Sequence, residues 1–286
     1  MKLACQIFNP DRQATWLVWL HGLLGCGNEW LPIVSACNQY ASLVIDLPGH
    51  GDSADITAVG GFAGMSKLLS ETLLACQIHD YWLIGYSLGG RLAMYYATQN
   101  HATQNHATQN RATQNHATQN RATQNHTTHS HQKGLRGILV EGGNPGLFSQ
   151  QERDARLLHD RHWAQRFRKE SMLAVLADWY QQPVFADLSP EQRFRFIHLR
   201  SRNRGCSIAD MLESTSLGHQ PWLVPALQKL TVPFAYLCGE HDQKFKEIVK
   251  QYALPSKIIP QAGHNAHSSN PADFSAAVSH FLSLFG

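Results

Sequence analysis

Gly85-Tyr86-Ser87-Leu88-Gly89 is the stretch on which the reading of this chain turns. It follows the apolar, β-prone run Tyr81-Trp82-Leu83-Ile84 and precedes the helix-forming run Arg91-Leu92-Ala93-Met94. Glycine two places either side of a serine, between a strand and a helix, lets the backbone turn so tightly that the hydroxyl is pushed out into a pocket, the pattern of a nucleophile elbow. A serine hydroxyl near neutral pH is a poor base and a poor nucleophile. It needs an imidazole partner, and the imidazole needs a carboxylate to fix its tautomer. The pentapeptide therefore predicts an Asp and then a His further along the chain, each at a strand end.

Both are found in that order. Pro233-Phe234-Ala235-Tyr236-Leu237-Cys238 reads as a buried strand ending at Gly239-Glu240-His241-Asp242, and Ser256-Lys257-Ile258-Ile259-Pro260 as a last strand ending at Ala262-Gly263-His264-Asn265-Ala266-His267. Asp242 and His264 lie at the expected distance past their strands; Glu240 and Glu141 compete for the role of acid, and His267 for that of base. Upstream, Thr15-Trp16-Leu17-Val18-Trp19-Leu20 is continuously apolar, as in a strand buried on both faces, and ends at His21-Gly22-Leu23-Leu24-Gly25. The backbone N–H of Leu23 can there join that of Leu88 in an oxyanion hole. A second buried strand, Ser42-Leu43-Val44-Ile45, leads into the turn formers of residues 46–53, where His50 reads as a loop-packing residue. Helices are predicted over about 62–77, with Met65, Leu68, Leu69 and Leu73 at helical spacing, and over about 271–285, with Phe274, Val278, Phe281 and Leu282 on one face. Gly137-Ile138-Leu139-Val140-Glu141 supplies a further strand.

Length and composition bound the rest. The 286 residues suffice for one α/β domain with an inserted subdomain. A net charge of +3 gives no strong nucleic-acid or anionic-membrane signal. The six cysteines form no C-x-x-C pair and read as small buried hydrophobes in a reducing compartment, with no zinc site. No run approaches a membrane span and the first residues lack a signal-peptide core, so a soluble, cytoplasmic protein is expected. Three parts are read: core at 1–143, a helical lid at 144–230 that carries ten arginines between Arg153 and Arg204, and core again at 231–286. From Ala97 to His126 run six pentapeptides of Ala-Thr-Gln-Asn followed by His or Arg, trailing to His131. With almost no apolar surface to offset the entropy of ordering, residues 97–131 should be a mobile insertion. Its nearest histidine pair, His129 and His131, has no acid or cysteine beside it, so no metal is assigned there.

With these residues placed, the chain resembles the α/β-hydrolase family and, within it, the bacterial 2-succinyl-6-hydroxy-2,4-cyclohexadiene-1-carboxylate synthases of menaquinone biosynthesis. HGLLG at 21–25, DLPGHGDS at 46–53 and GYSLGGR at 85–91 are common to the wider family; VEGGNPGL at 140–147, ADWYQQPVF at 177–185, MLESTSL at 211–217 and AGHNAH at 262–267 carry the narrower match. The pentapeptide array has no place in the family pattern. The resemblance implies a mostly parallel sheet flanked by helices with an inserted helical lid, and a lyase that eliminates pyruvate from a cyclohexene tricarboxylate. Ser87 would be the proton-abstracting base, activated by His264 and Asp242. Arg91, Arg156 and Arg200 match positions that bind the substrate carboxylates, and Tyr86 and Trp179 match positions that line the pocket. The small-molecule tricarboxylate is the implied partner, with no cofactor and no nucleic acid. The alternative is an ordinary serine hydrolase, a thioesterase or carboxylesterase, using the same three side chains.

Overall fold

A computed structural model describes residues 1–12, 15–57, 59–99 and 134–285. Seven strands form one sheet: β1 (Cys5–Phe8), β2 (Trp16–Leu20), β3 (Ser42–Ile45), β4 (Tyr81–Tyr86), β5 (Leu135–Glu141), β6 (Phe234–Gly239) and β7 (Ser256–Ile259). Their order is β1-β3-β2-β4-β5-β6-β7; β1 runs antiparallel to β3 and every other pair is parallel.

The apolar runs read from the sequence become strands because both sides of the sheet are covered. Alternate residues of each strand enter opposite clusters, as the period of two requires. Val18, Leu83, Ile138 and Val140 face α2 (Gly61–Ala75) and α3, a helix over residues 88–99, together with α9 (Gln243–Gln251). Leu17, Trp19, Trp82, Ile84 and Leu139 face α1 (Leu31–Ala36) and α11 (Pro271–Ser283), the latter preceded by the single turn α10 (Ala266–Ser269).

Between β5 and β6 the described chain contains only helices and loops: α4 (Gln150–Lys169), α5 (Met172–Trp179), α6 (Pro190–Arg200), α7 (Gly205–Ser214) and α8 (Val224–Leu227). Ser149 with Glu152, and Ser189 with Gln192, close capping boxes that start α4 and α6. Trp163, Phe167, Leu176, Trp179, Tyr180, Phe196 and Leu212 give these helices an apolar centre of their own, and it reaches Leu24 of the core.

Three sequence expectations change. Strand β1 is an addition to the strands expected, and of the six cysteines only Cys37 and Cys238 are buried, with Cys5, Cys26 and Cys76 half-buried and Cys206 exposed. Residues 97–99, assigned to the insertion, complete the last turn of α3, where the Thr98 hydroxyl donates to the Tyr95 carbonyl. The remainder of the expected insertion from residue 100 onward, with His129 and His131, lies outside the described residues.

Candidate active site

Ser87 sits between β4 and α3 at φ +50°, a left-handed conformation that bulky L residues rarely adopt. The flanking glycines make the turn possible. A β-carbon at Gly85 would overlap the Gly89 carbonyl, and one at Gly89 would overlap the carbonyl of Leu20. Three backbone bonds fix the elbow: Ser87 N–H donates to Glu141 O (2.7 Å), Arg91 N–H to Ser87 O (2.9 Å) and Gly89 N–H to His21 O (3.1 Å). The last of these brings the loop after β2 against the start of α3. Among the described residues, the N–H groups of Leu23 and Leu88 donate to no protein acceptor.

Asp242 and His264 stand on the loops after β6 and β7. Asp242 caps α9, its Oδ1 accepting from Phe245 N–H (3.3 Å), while Oδ2 accepts from His264 Nδ1–H (2.9 Å). Both side chains are buried. This bond leaves His264 Nε2 as the lone-pair nitrogen. The imidazole is stacked on Phe245 (5.1 Å between centroids) and lies against Tyr86 (5.4 Å) and Phe185 (6.0 Å). It covers Gly142, where a β-carbon would be 2.5 Å from His264 Cε1, and Gly142 follows the residue whose carbonyl anchors Ser87. Among the described residues no hydrogen bond joins Ser87 Oγ to His264; such bonds commonly tighten only when substrate is in place.

The competing acids and base are accounted for. Glu141 and His267 pair with each other: the carboxylate accepts from His267 Nδ1–H (2.7 Å) and from its backbone N–H (3.1 Å). Glu240 is exposed and accepts from Gln261 N–H (2.9 Å). His50, read as a loop residue, does more than pack. Its Nδ1–H donates to Pro48 O (2.8 Å) and its Nε2 accepts from Leu24 N–H (3.0 Å), which steadies Leu24 at φ +70° in the loop that carries Leu23. His21 mirrors it, donating to Gly22 O (2.7 Å) and accepting from Leu47 N–H (2.9 Å). Each histidine thus holds the loop the other belongs to. Burial drives the pKa of His21 down to about 4 and of His50 down to about 3.

The cationic wall is uneven. Arg91, one turn past Ser87, donates through Nε to Gln220 Oε1 (2.6 Å) and through Nη2 to Thr215 O (2.6 Å), and lies over the Phe62 ring at 4.9 Å. No carboxylate is hydrogen-bonded to it among the described residues. Burial first, then the nearby charge of Arg156, lowers its pKa to about 9. Arg156 donates to the buried Asp160 (2.8 Å), which also accepts from Ser216 (2.7 Å). Burial pushes the Asp160 carboxyl up, but the hydrogen bond from His159, the charge of Arg156 and the Ser216 hydroxyl together hold it below its usual value. Lys244, two residues after Asp242, joins this group unforeseen. Desolvation and the charge of Arg156 both lower its pKa, with Asp242 opposing.

Arg200 differs from the other two arginines. Its buried guanidinium is already paired with Glu29 (3.0 Å), donates to the Tyr180 hydroxyl, and lies over the Phe196 ring at 4.8 Å. Burial opposes its charge, yet Glu29 raises its pKa. Tyr86 is buried between His264 and His267, 4.8 Å from the latter, and burial raises its phenol well above the usual value. Trp179 packs edge-on against Trp163 (5.0 Å) in the same apolar cluster as Leu23 and Leu24. No cluster of three metal-ligating side chains occurs among the described residues, and no helix there is long and apolar enough to cross a membrane.

A serine on an elbow, a His–Asp pair against the neighbouring Tyr86 ring and two N–H groups without a protein acceptor are residue types that acyl-transfer and proton-abstraction sites use. The chain matches the alpha/beta hydrolase family over residues 17–277. The 2-succinyl-6-hydroxy-2,4-cyclohexadiene-1-carboxylate synthase of Photorhabdus laumondii is 55% identical over 285 residues, covering 100% of this chain and 91% of the relative. That of Yersinia enterocolitica is 50% identical over 290 residues, covering 99% and 94%. Among solved structures, MenH from S. aureus aligns with a TM-score of 0.80 at 24% identity over 98% of each chain. A thermophilic esterase from Thermogutta terrifontis aligns at 0.74 and 18% identity, covering 99% and 93%; both likenesses concern the fold. The chain belongs to the alpha/beta hydrolase family and, within it, to the family of its 2-succinyl-6-hydroxy-2,4-cyclohexadiene-1-carboxylate synthase relatives.

Proposed function

We propose that this chain is a lyase of menaquinone biosynthesis that eliminates pyruvate from 2-succinyl-5-enolpyruvyl-6-hydroxy-3-cyclohexene-1-carboxylate to give 2-succinyl-6-hydroxy-2,4-cyclohexadiene-1-carboxylate. The identity to synthases over the whole chain supports the reaction. The observation that carries the substrate class is Arg91, a half-buried guanidinium one turn past Ser87 with no carboxylate of the protein bound to it among the described residues. A partly desolvated cation of this kind is stabilised by an incoming carboxylate.

In this reading His264 Nε2 takes the Ser87 proton and Asp242 orients the imidazole and stabilises it when charged. Ser87 Oγ then removes the ring proton α to the succinyl ketone. Negative charge moves onto the ketone oxygen, where the N–H groups of Leu23 and Leu88 receive it. The electron pair returns through the ring double bond and breaks the bond to the enolpyruvyl oxygen, so the departing enolate leaves as pyruvate once protonated. No water attacks and no acyl-enzyme forms. Arg91 and Arg156 bind two substrate carboxylates, with Lys244 adding to their field. Arg200 binds the third by exchanging Glu29 for the substrate. Tyr86 and Trp179 line the pocket.

The test is pyruvate release from the enolpyruvyl substrate by the wild-type chain and by Ser87→Ala. Release is expected in the first and a loss of at least a thousandfold in kcat in the second. Ester or thioester turnover through an acyl-enzyme trapped on Ser87, without pyruvate release, would replace this reading with a serine hydrolase.

A further inference from the structure

Beside the oxyanion loop lies a cavity of about 770 Å³ on whose wall Ser87 does not appear. It is bounded by α6, the turn from α6 to α7, the segment from Leu24 to Glu29, and the start of α11. Four arginines line it, Arg195, Arg200, Arg202 and Arg204, against two carboxylates, Glu29 and Asp52. Glu29 is occupied by Arg200, and Arg204 is paired with Asp55. Among the described residues Arg195 and Arg202 make neither a hydrogen bond nor an ion pair. His267 also lines the wall, its Nδ1–H committed to Glu141.

We infer that this cavity is a binding site for a small oxyanion carrying two or more negative charges, separate from the catalytic cleft. The exposed guanidinium groups of Arg195 and Arg202, bound to no carboxylate and outnumbering the one unpaired carboxylate of the wall, Asp52, attract such an anion and offer it forked donors. The volume admits a molecule the size of a polycarboxylate or a diphosphate. A monoanion satisfies only one of the free guanidinium groups.

The walls connect this site to the catalytic one by three routes. Asn203 Nδ2–H, in the turn that carries Arg202, donates to Leu24 O (2.8 Å) in the oxyanion loop. Glu29 holds Arg200. His267 is bonded to Glu141, whose carbonyl holds Ser87 N–H. An occupant would thus bear on the donors around the serine and, through Arg200, on the third substrate carboxylate of the proposed function. The inference stands on the cavity and is independent of the elimination chemistry; Arg200 alone is common to both.

Calorimetric titration at low ionic strength tests it, with citrate, pyrophosphate and acetate added to the full chain as wild type, as Arg91→Ala and as the double variant Arg195→Gln/Arg202→Gln. A binding event for citrate or pyrophosphate that survives in Arg91→Ala and weakens at least tenfold in the double variant is expected, with acetate at least tenfold weaker than either. Preference for citrate assigns a polycarboxylate, and preference for pyrophosphate a phosphoryl compound. The thermal midpoint of the anion-free double variant, unchanged, shows that its fold is intact; Arg202→Lys, which keeps the charge but loses the fork, gives an intermediate loss. Equal affinity in the double variant, loss of all binding in Arg91→Ala, acetate binding as tight as citrate, or no binding to wild type overturns the inference.

Discussion

Arg156 lies within reach of the charges of both Arg91 and Lys244, and the proposed function gives the three different work. Arg91 is fixed by Gln220 and Thr215, whereas Arg156 is partly exposed and tied only to Asp160. In the proposed function Arg156 gives the substrate a directed charged hydrogen bond, and its removal takes that bond away. Arg156→Ala is expected to lower kcat/KM at least tenfold, on the order of 1.5 to 3 kcal/mol. Steady-state pyruvate release measures it, and an unchanged kcat/KM removes Arg156 from the site. Lys244 contributes field more than a directed bond, so Lys244→Met is expected to raise KM several-fold while leaving kcat within about twofold. A fall in kcat with KM unchanged would instead put the ammonium in the chemical step. The candidate serine, acid and base were legible because the chemistry needs three residue types in a fixed order at strand ends. Glu29 was not. It lies 171 residues from Arg200 in sequence, and nothing local at either position announces the pair. Lys244 escaped notice for the same reason, since its relation to Arg156 exists only once α9 and α4 are folded.

At the scale of elements, the loops after β2 and β3 are bound to each other by His21 and His50. Both imidazoles are neutral in the folded protein, with pKa values of about 4 and about 3 against the usual 6.5. The unfolded chain takes up protons below about pH 6.5 that the folded chain refuses. Stability is therefore complete above that pH and is lost as pH falls toward 4, by about 1.4 kcal/mol per pH unit for each histidine. Urea unfolding at pH 7, 6 and 5 is expected to show this slope, and His50→Gln, which keeps an acceptor for Leu24 N–H, is expected to reduce it by about half. Equal slopes for the two proteins would show that His50 is not the group responsible. The strands at the centre of the sheet could be read in advance because both faces are buried and their runs are unbroken, as in Leu17 to Leu20. The edge strand β1 could not. Cys5-Gln6-Ile7-Phe8 is short and half exposed, pairs only with β3, and offers neither a continuous apolar run nor a clean alternation.

Across the whole molecule the two ends of the sheet have different duties. The loops at the carboxyl ends of β2, β4, β6 and β7 carry the candidate residues, Leu23, Ser87, Asp242 and His264. Glu141, at the end of β5, anchors Ser87. At the opposite end, Tyr81 at the start of β4 exchanges a hydroxyl hydrogen bond with Tyr96 near the end of α3 (2.8 Å) and donates its N–H to Gly134 O (3.1 Å). The end of α3 and the beginning of β5 are therefore both gathered at Tyr81. Connections between a helix and the next parallel strand usually need only about 2 to 6 residues. Replacing residues 100–133 by a glycine-serine linker of about six residues is expected to leave kcat/KM within about twofold and the thermal midpoint within a few degrees. A collapsed midpoint would show that the long connection stabilises the fold. The position of Tyr81 has a practical corollary. Residues 99 and 134 delimit a splice point remote from the chemistry, where a fluorescent or affinity module can be inserted in place of the array and the enzyme tracked by it while both termini stay unaltered.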